Sequence, residues 1–343
     1  MSEAKFFIGG TLAATGERLD LAVKNGKIIE TSQSLTPGAG AEVVDVTGKL
    51  ILPGMCDLHV HLSPPAGGKA ETLASGASAA LAGGITRLLS MPAGKPVVDR
   101  LSVVKSLNDA NAAVGLVHVH QAAAITLDFD GESLSDFHEI KQAGVQIFCD
   151  PGRPIQSPAV LRRALDYARD YGITFALCSE TPALTPSGGI NEGQISYELG
   201  LPGIPVCGED IAVSRDVRLA ESVDSKIHLQ CLSSAGSVDS VRRAKERGSQ
   251  ITAEVGIHHL LFTEESIGDY DTTFKVSPPL RLKSDTEALL RGLKDGTIDC
   301  LVSAHLPQTA FSKAQDFATA SSGMTGLETT LLAAYDRLVA CGK

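Results

Sequence analysis

The chain has 343 residues, of which 43% are hydrophobic and 20% charged, so it can bury a large core. Its net charge is −10 and its basic residues form no cluster, which argues against nucleic acid or an anionic membrane as partners. The N-terminus lacks a signal-peptide pattern, and no run of about 18 apolar residues predicts a membrane span. Seven scattered cysteines suit a reducing compartment. We expect a compact, cytoplasmic protein.

The first part of the chain, residues 1–53, has the pattern of a small, sandwich-like β unit. It contains the runs KFFIGGTLA, LDLAVKNGKIIET and AEVVDVTGKLIL, separated by turn signals. Asn25-Gly26 lies between two strand-like halves of the second run, and this dipeptide favours a tight hairpin turn.

The remainder, residues 54–343, alternates short strand-like runs with longer helical patterns. The eight runs are MCDLHVH, TRLLSM, GLVHVH, VQIFCD, ITFALC, KIHLQC, QITAEV and IDCLVSA. Eight strands with intervening helices predict an α/β fold, a closed (β/α)8 TIM-type barrel. Because chemistry in such barrels lies at the carboxyl ends of the strands, the end of each run is a candidate site position.

The first of these runs ends in two histidines, His59 and His61, with Asp57 two residues earlier. Side chains at i and i+2 of a strand point to one face, so both imidazoles would project side by side. Imidazole is a common zinc ligand, and two of them make half of a tetrahedral site. A second pair, His118 and His120 on the third run, is expected to pack inside the barrel.

Longer segments resemble the dihydroorotases of the amidohydrolase superfamily. They are PGMCDLHVHL, GGITRLLSMPAGKPVVD, INEGQISYELGLPGIP, TAEVGIHHLLFTEE, KVSPPLR and LKDGTIDCLVSAHLPQT. The resemblance implies a zinc-dependent barrel that interconverts carbamoyl-aspartate and cyclic dihydroorotate. It also implies His59 and His61 as first-strand metal ligands, Asp57 as their support and Asp150 as a bridging carboxylate.

Other positions depart from the pattern that the resemblance implies. Cys178 and Cys231 stand where metal-binding histidines are expected on the fifth and sixth runs, and Ala304 stands where the catalytic aspartate precedes His305. A methyl group cannot accept a proton. The substrate-binding arginine and two asparagines are replaced as well, by Ser63, Ala93 and Ser277.

These six replacements predict a catalytically degenerate dihydroorotase homologue, which binds one zinc ion or none. Cys178 and Cys231 could join His59 and His61 in a closed zinc site, or could be buried apolar groups. The alternative is an active, metal-dependent cyclic amidohydrolase that uses His59, His61 and Asp150, with His305 as a stand-in for the missing base. A small-molecule sensor is a third interpretation.

The resemblance extends to inactive dihydroorotase-like subunits that associate with aspartate carbamoyltransferase. It implies that enzyme as a partner and an architectural role in pyrimidine biosynthesis. The chain stops soon after its last helical pattern, so the C-terminal strands that usually complete the β unit are expected to be absent. Unpaired strand edges would then favour an oligomer.

Overall fold

The structure is a computed structural model that describes residues 4–38, 40–62 and 70–340. The chain divides into two compact units, Met1–Gly54 and Met55–Lys343. None of the helices in the described ranges has the length and apolar character needed to cross a membrane.

The first unit is a single mixed sheet in the order β3-β2-β1-β4, with β5 also paired to β1. Its strands are β1 (Lys5–Leu12), β2 (Arg18–Lys24), β3 (Lys27–Ser32), β4 (Glu42–Asp45) and β5 (Leu50–Ile51). Strands β2 and β3 form the expected antiparallel hairpin. Asn25 and Gly26 turn the chain there with φ angles of 52° and 73°, the left-handed values that a two-residue hairpin turn requires.

The second unit contains parallel strands separated by helices. Its strands are β6 (Met55–Val60), β7 (Ile85–Ser90), β8 (His118–Gln121), β9 (Ile147–Phe148), β10 (Thr174–Leu177), β11 (Ile190–Asn191), β12 (Gly203–Ile204), β13 (Ile227–Leu229), β14 (Ile251–Gly256) and β15 (Cys300–Val302). Each of the eight predicted strand-like runs contains all or part of one of these strands, and β11 and β12 form a separate two-stranded sheet.

The helices lie between the strands or follow the last one, and four of them coincide with helical patterns of the sequence, namely ETLASGASAALAGG, SPAVLRRALDYARDYG, SVDSVRRAKERG and SDTEALLRGLKDG. The helices are α1 (Leu73–Ala82), α2 (Leu101–Val114), α3 (Phe137–Lys141), α4 (Pro158–Asp170), α5 (Gln194–Leu199), α6 (Cys207–Ser222), α7 (Ala235–Glu246), α8 (Ile257–Leu261), α9 (Lys283–Lys294), α10 (Ala310–Lys313) and α11 (Thr330–Tyr335). In α4, Ser157 caps the N-terminus and Pro158 begins the helix. Its buried face is Leu161, Ala164, Leu165 and Ala168, at helical spacing.

The regular ladders do not form the single closed barrel that we expected. They form a three-stranded sheet, β6-β7-β8, and a five-stranded sheet, β15-β14-β13-β10-β9. Single parallel bridges, Val60 with His305 and Ala123 with Phe148, connect the two sheets at their edges. A cavity of about 980 Å³ is lined by β8 and by the residues that lead into β9.

The two faces of these strands have different surroundings. Alternate residues such as Phe175, Leu229 and Val255 pack outward into a large core shared with the helices. The intervening residues, such as His228 and Glu254, therefore point to the opposite, interior face. The exposed side chains of His118 and His120 line the cavity beside β8, so the expectation that they pack inside the barrel was wrong.

Candidate functional site

The two histidines of the first run lie together at the carboxyl end of β6, as the i, i+2 spacing predicts. The centroids of the His59 and His61 rings are 5.5 Å apart. The backbone N–H of His61 donates to the carbonyl of His305 at 2.8 Å, which fixes this strand end against the chain that follows β15. Burial, and then the neighbouring His59 and His305, lower the pKa of His61 to about 3, so its ring is neutral at pH 7.

His59 is engaged by a carboxylate that lies 195 residues away in sequence. Its Nδ1 atom is 2.5 Å from Oε1 of Glu254, whose side chain is fully buried on β14. The other carboxylate oxygen of Glu254 is 3.0 Å from Nε2 of His228 on β13. One buried carboxylate therefore joins two imidazoles in the interior.

The charges of this group depend on one another. Burial alone would raise the pKa of Glu254, but the two imidazoles outweigh burial and hold that pKa well below its usual range. Burial likewise opposes protonation of His59, but the carboxylate of Glu254 outweighs it and raises the pKa of His59. Glu254 is thus anionic, and it favours the charged form of His59.

Sequence reasoning did not identify Glu254 as a site residue. The available signal was a carboxylate in the middle of QITAEV, between residues that face the apolar core. A charged residue on a buried strand requires partners, but His59 and His228 come from distant runs and only the fold brings them to it.

Of the two cysteines predicted as metal ligands, Cys231 lies beside His59. Its Sγ atom is 3.5 Å from Nδ1 of His59 and 3.5 Å from Oε1 of Glu254. Burial, followed by the charge of Glu254, raises the pKa of the Cys231 thiol well above its ordinary value. The thiol of Cys178 is also protonated at neutral pH, because burial and then Glu180 raise its pKa to about 12.

Two groups of three potential metal ligands occur among the described residues, with all ligand atoms of a group within 4.8 Å of one another. They are His59 with Cys231 and Glu254, and His228 with Glu254 and Cys300. The predicted ligands His61, Asp150 and Cys178 belong to neither group. The closed site of His59, His61, Cys178 and Cys231 is therefore not assembled as expected, although His59 and Cys231 are neighbours.

Asp150 follows β9, and its carboxylate accepts hydrogen bonds from the segment that follows β8. Its Oδ1 accepts from the backbone N–H of Ile125 at 2.7 Å, and its Oδ2 accepts from the hydroxyl of Thr126 at 2.6 Å. Burial outweighs these hydrogen bonds and raises the pKa of Asp150 to about 6. In this arrangement Asp150 holds the ends of neighbouring strands together.

Asp57, expected from the resemblance to support the two histidines, is hydrogen-bonded to the backbone of β6 and of the segment after β15. Its buried carboxylate accepts from the backbone N–H of Ser303 at 3.2 Å and from that of His59 at 3.1 Å. It therefore ties the first strand of the unit, β6, to the last, β15.

The end of β15 lacks a carboxylate at the position expected for the base. Ala304 is there, and the next residue, His305, uses both ring nitrogens: Nε2 is 2.6 Å from a carboxylate oxygen of Glu71, and Nδ1 accepts from the backbone N–H of Gly326. Because a carboxylate only accepts, Nε2 carries the proton. His305 is thus arranged as a donor to Glu71 rather than as a base.

Two of the altered positions have an unusual backbone. Cys231 and Ala304 adopt left-handed φ angles of 46° and 47°, which residues with a Cβ seldom do. Such backbone strain is common at functional sites. Of the expected substrate-binding positions, Ala93 is half-buried after β7 and Ser277 is exposed, whereas Ser63 lies outside the described residues.

Comparisons with known sequences identify the family of the chain. A family model described as dihydro-orotase-like matches residues 48–237. A protein named dihydroorotase from Leifsonia xyli subsp. xyli is 41% identical over 344 residues, which cover 100% of this chain and 78% of the relative. Another from Desulforapulum autotrophicum is 41% identical over 321 residues, or 92% of this chain and 75% of the relative.

Solved structures with the same fold are more distant in sequence. The L-hydantoinase (dihydropyrimidinase) from Arthrobacter aurescens has a TM-score of 0.81 and 21% identity, covering 99% of this chain and 78% of that one. Dihydropyrimidinase from Brevibacillus agri has a TM-score of 0.77 and 20% identity, covering 97% and 76%. At these identities the likeness concerns the fold, and the family follows from the sequence matches. The chain belongs to the dihydroorotase-like family.

Proposed function

We propose that this protein is a catalytically degenerate dihydroorotase homologue. The observation that carries the proposal is the end of β15, where Ala304 replaces the expected base and His305 is already bonded through both ring nitrogens. Loss of a general base commonly lowers a rate by about 100- to 10,000-fold. We also propose that the two sheets together represent the eight-stranded barrel of the family, joined by the single bridges at their edges.

The residue types beside His59 are suitable ligands for a metal ion. His59, Cys231 and Glu254 offer nitrogen, sulfur and oxygen ligands, a set that zinc accepts. Ligands around tetrahedral zinc are about 3.3–3.8 Å apart, so the 3.5 Å spacings of Cys231 suit it, whereas the 2.5 Å hydrogen bond between His59 and Glu254 would have to open. Bound zinc would act as a Lewis acid toward a carbonyl oxygen.

The second candidate is an active, metal-dependent cyclic amidohydrolase with a reduced metal site. The comparisons favour this candidate over the first, because relatives about 41% identical across nearly the whole chain are named dihydroorotase. It would use His59 and His61 with Asp150. Against it, the carboxylate of Asp150 is occupied by Ile125 and Thr126.

A repaired variant tests the degenerate assignment. Replacing Cys178→His, Cys231→His and Ala304→Asp together restores the imidazoles and the carboxylate that the resemblance implies. We expect dihydroorotate turnover by this variant to exceed that of the zinc-supplied wild type by at least about 100-fold, the scale of one restored base. The matched control keeps both histidines but leaves Ala304 unchanged. Equal rates for all three proteins would contradict the proposal.

We further propose aspartate carbamoyltransferase as the partner, in an oligomer that this protein helps to assemble. The support is the resemblance to inactive dihydroorotase-like subunits together with the loss of the base. A partner that binds only the folded, assembled enzyme stabilises it by mass action. Co-expression with the carbamoyltransferase of the same organism, followed by size-exclusion chromatography, tests this. We expect one co-eluting complex; full solubility, assembly and activity of the carbamoyltransferase alone would contradict it.

A further inference from the structure

We propose a second metal position below the strand ends, formed by His228, Glu254 and Cys300, that takes a thiophilic divalent cation such as zinc. The ligand atoms of these three residues all lie within 4.8 Å of one another. The site does not depend on whether the protein turns over a cyclic amide, and it uses neither His59 nor the family-type ligands beside it.

Strand register brings these three side chains together. They lie on the adjacent parallel strands β13, β14 and β15, with Glu254 directly paired to Cys300. His228 is paired to Thr252, which is two residues before Glu254 and therefore on the same face. Neighbouring strands are about 4.8 Å apart, so in-register side chains on one face converge within ligand distance.

The two carboxylate oxygens of Glu254 face different sets of ligands. Its Oε1 faces His59 and Cys231, whereas its Oε2 faces Nε2 of His228 at 3.0 Å. An ion at the second position would use Oε2, replace the hydrogen bond between Oε2 and His228, and leave the bond between Oε1 and His59 in place. Metal binding at the second position therefore does not require the 2.5 Å hydrogen bond to open.

The ring nitrogen of His228 that faces away from Glu254 has a hydrogen-bond partner, as is common for a histidine that binds metal. Its Nδ1 atom is 2.9 Å from the hydroxyl of Thr252, and a ligating histidine commonly donates its other N–H to such a partner. Without an ion, Nε2 donates to the carboxylate, and Nδ1 accepts from Thr252. When an ion binds, the ring proton moves to Nδ1 and is donated to Thr252. The Cys300 thiol then releases its proton to solvent, and the thiolate binds the ion.

The type of ion follows from the ligand set. One thiolate, one imidazole and one carboxylate combine soft and borderline ligands, which disfavours magnesium and calcium and favours zinc or cobalt(II). Three protein ligands leave the fourth tetrahedral position for water.

The test loads the full-length protein with cobalt(II) or zinc, removes excess metal and measures metal content and the sulfur-to-cobalt charge-transfer absorption. We expect the wild type to retain the ion and show the band, and the double variant Cys231→Ala with Cys300→Ala, which also lacks the thiol beside His59, to lose both. Cys149→Ala is the matched control, because Cys149 is a buried thiol outside both groups and faces Met91 at 3.7 Å. This control should retain the band, and Cys231→Ala should retain it too.

A gentler variant keeps the test valid if Cys300→Ala folds poorly. Thr252→Val leaves every ligand in place and removes only the outer hydrogen bond, so we expect about 10- to 100-fold weaker metal binding in an unchanged fold. The proposal is overturned if the wild type retains no ion, if Cys300→Ala retains as much metal as the wild type, or if Cys231→Ala loses the band.

Discussion

The Nδ1 atom of His59 lies 2.5 Å from Oε1 of Glu254, so the first-strand residue expected to bind metal is hydrogen-bonded to a buried carboxylate of β14. In a protein that binds metal at His59, the ion would compete with this contact. The pair therefore contributes to the stability of the interior and opposes metal binding at His59.

Glu254→Gln should destabilise the protein strongly. The substitution keeps the shape of the side chain but removes the charge that His59 and His228 share, and breaking a buried ion pair from one side costs about 3–5 kcal/mol. Urea unfolding of both proteins measures the difference in free energy. Glu246→Gln, on the exposed end of α7, is the matched control and should change stability little.

The same pair predicts a pH dependence. The pKa of His59 is raised, so its contribution to stability is present below its ordinary value of 6.5 and is lost as pH rises through the raised value. The pKa of Glu254 is lowered, so its contribution is present above 4.5 and is lost as pH falls through the lowered value. The stability difference between wild type and Glu254→Gln should be largest between those limits. A difference that stays constant from acid to alkaline pH would exclude this coupling.

Asp57→Ala should loosen the junction between β6 and β15. The carboxylate accepts from two backbone N–H groups, those of His59 and Ser303, and each buried donor left unpaired costs about 1–3 kcal/mol. Thermal or urea unfolding measures the loss. Asp166→Ala on α4 removes only an exposed ion pair with Arg169 and should cost less than about 1 kcal/mol. Similar losses in both variants would mean that Asp57 is not a structural tie.

The two cysteines at expected histidine positions should differ in their effect on metal binding at His59. Cys231 is 3.5 Å from that ring, whereas Cys178 belongs to neither group of neighbouring ligands in the described ranges. We expect Cys231→Ser to lower the zinc content of a metal-loaded sample and Cys178→Ser to leave it unchanged. Loss of zinc on replacement of Cys178 would instead support the four-ligand site predicted from the sequence.

The sequence was sufficient for local features and for positions within matched segments. The alternation of side chains along a strand predicted the neighbouring rings of His59 and His61, and Asn25-Gly26 predicted the hairpin of the first unit. Relations between distant runs could not be predicted in this way. Nothing local to Glu254 or Glu71 specifies which histidine each one meets, and the occupied ring of His305 depends on both Glu71 and Gly326.

The pairing between the two sheets could not be predicted from the sequence either. The eight strand-like runs were recognisable from their apolar residues, but β9 is only two residues long and meets the chain beyond β8 through a single bridge. Pairing between these strand ends depends on contacts between segments that are distant in sequence, which local residue patterns do not encode.

The degenerate assignment is tested by the dihydroorotase activity of the purified, zinc-supplied wild-type protein, measured as ring opening and ring closure. The relative from Leifsonia xyli subsp. xyli is the reference enzyme. The absence of a carboxylate at Ala304 predicts rates at least about 100-fold below the reference in both directions. Rates comparable with the reference would contradict the degenerate assignment and establish the reduced-site amidohydrolase in its place.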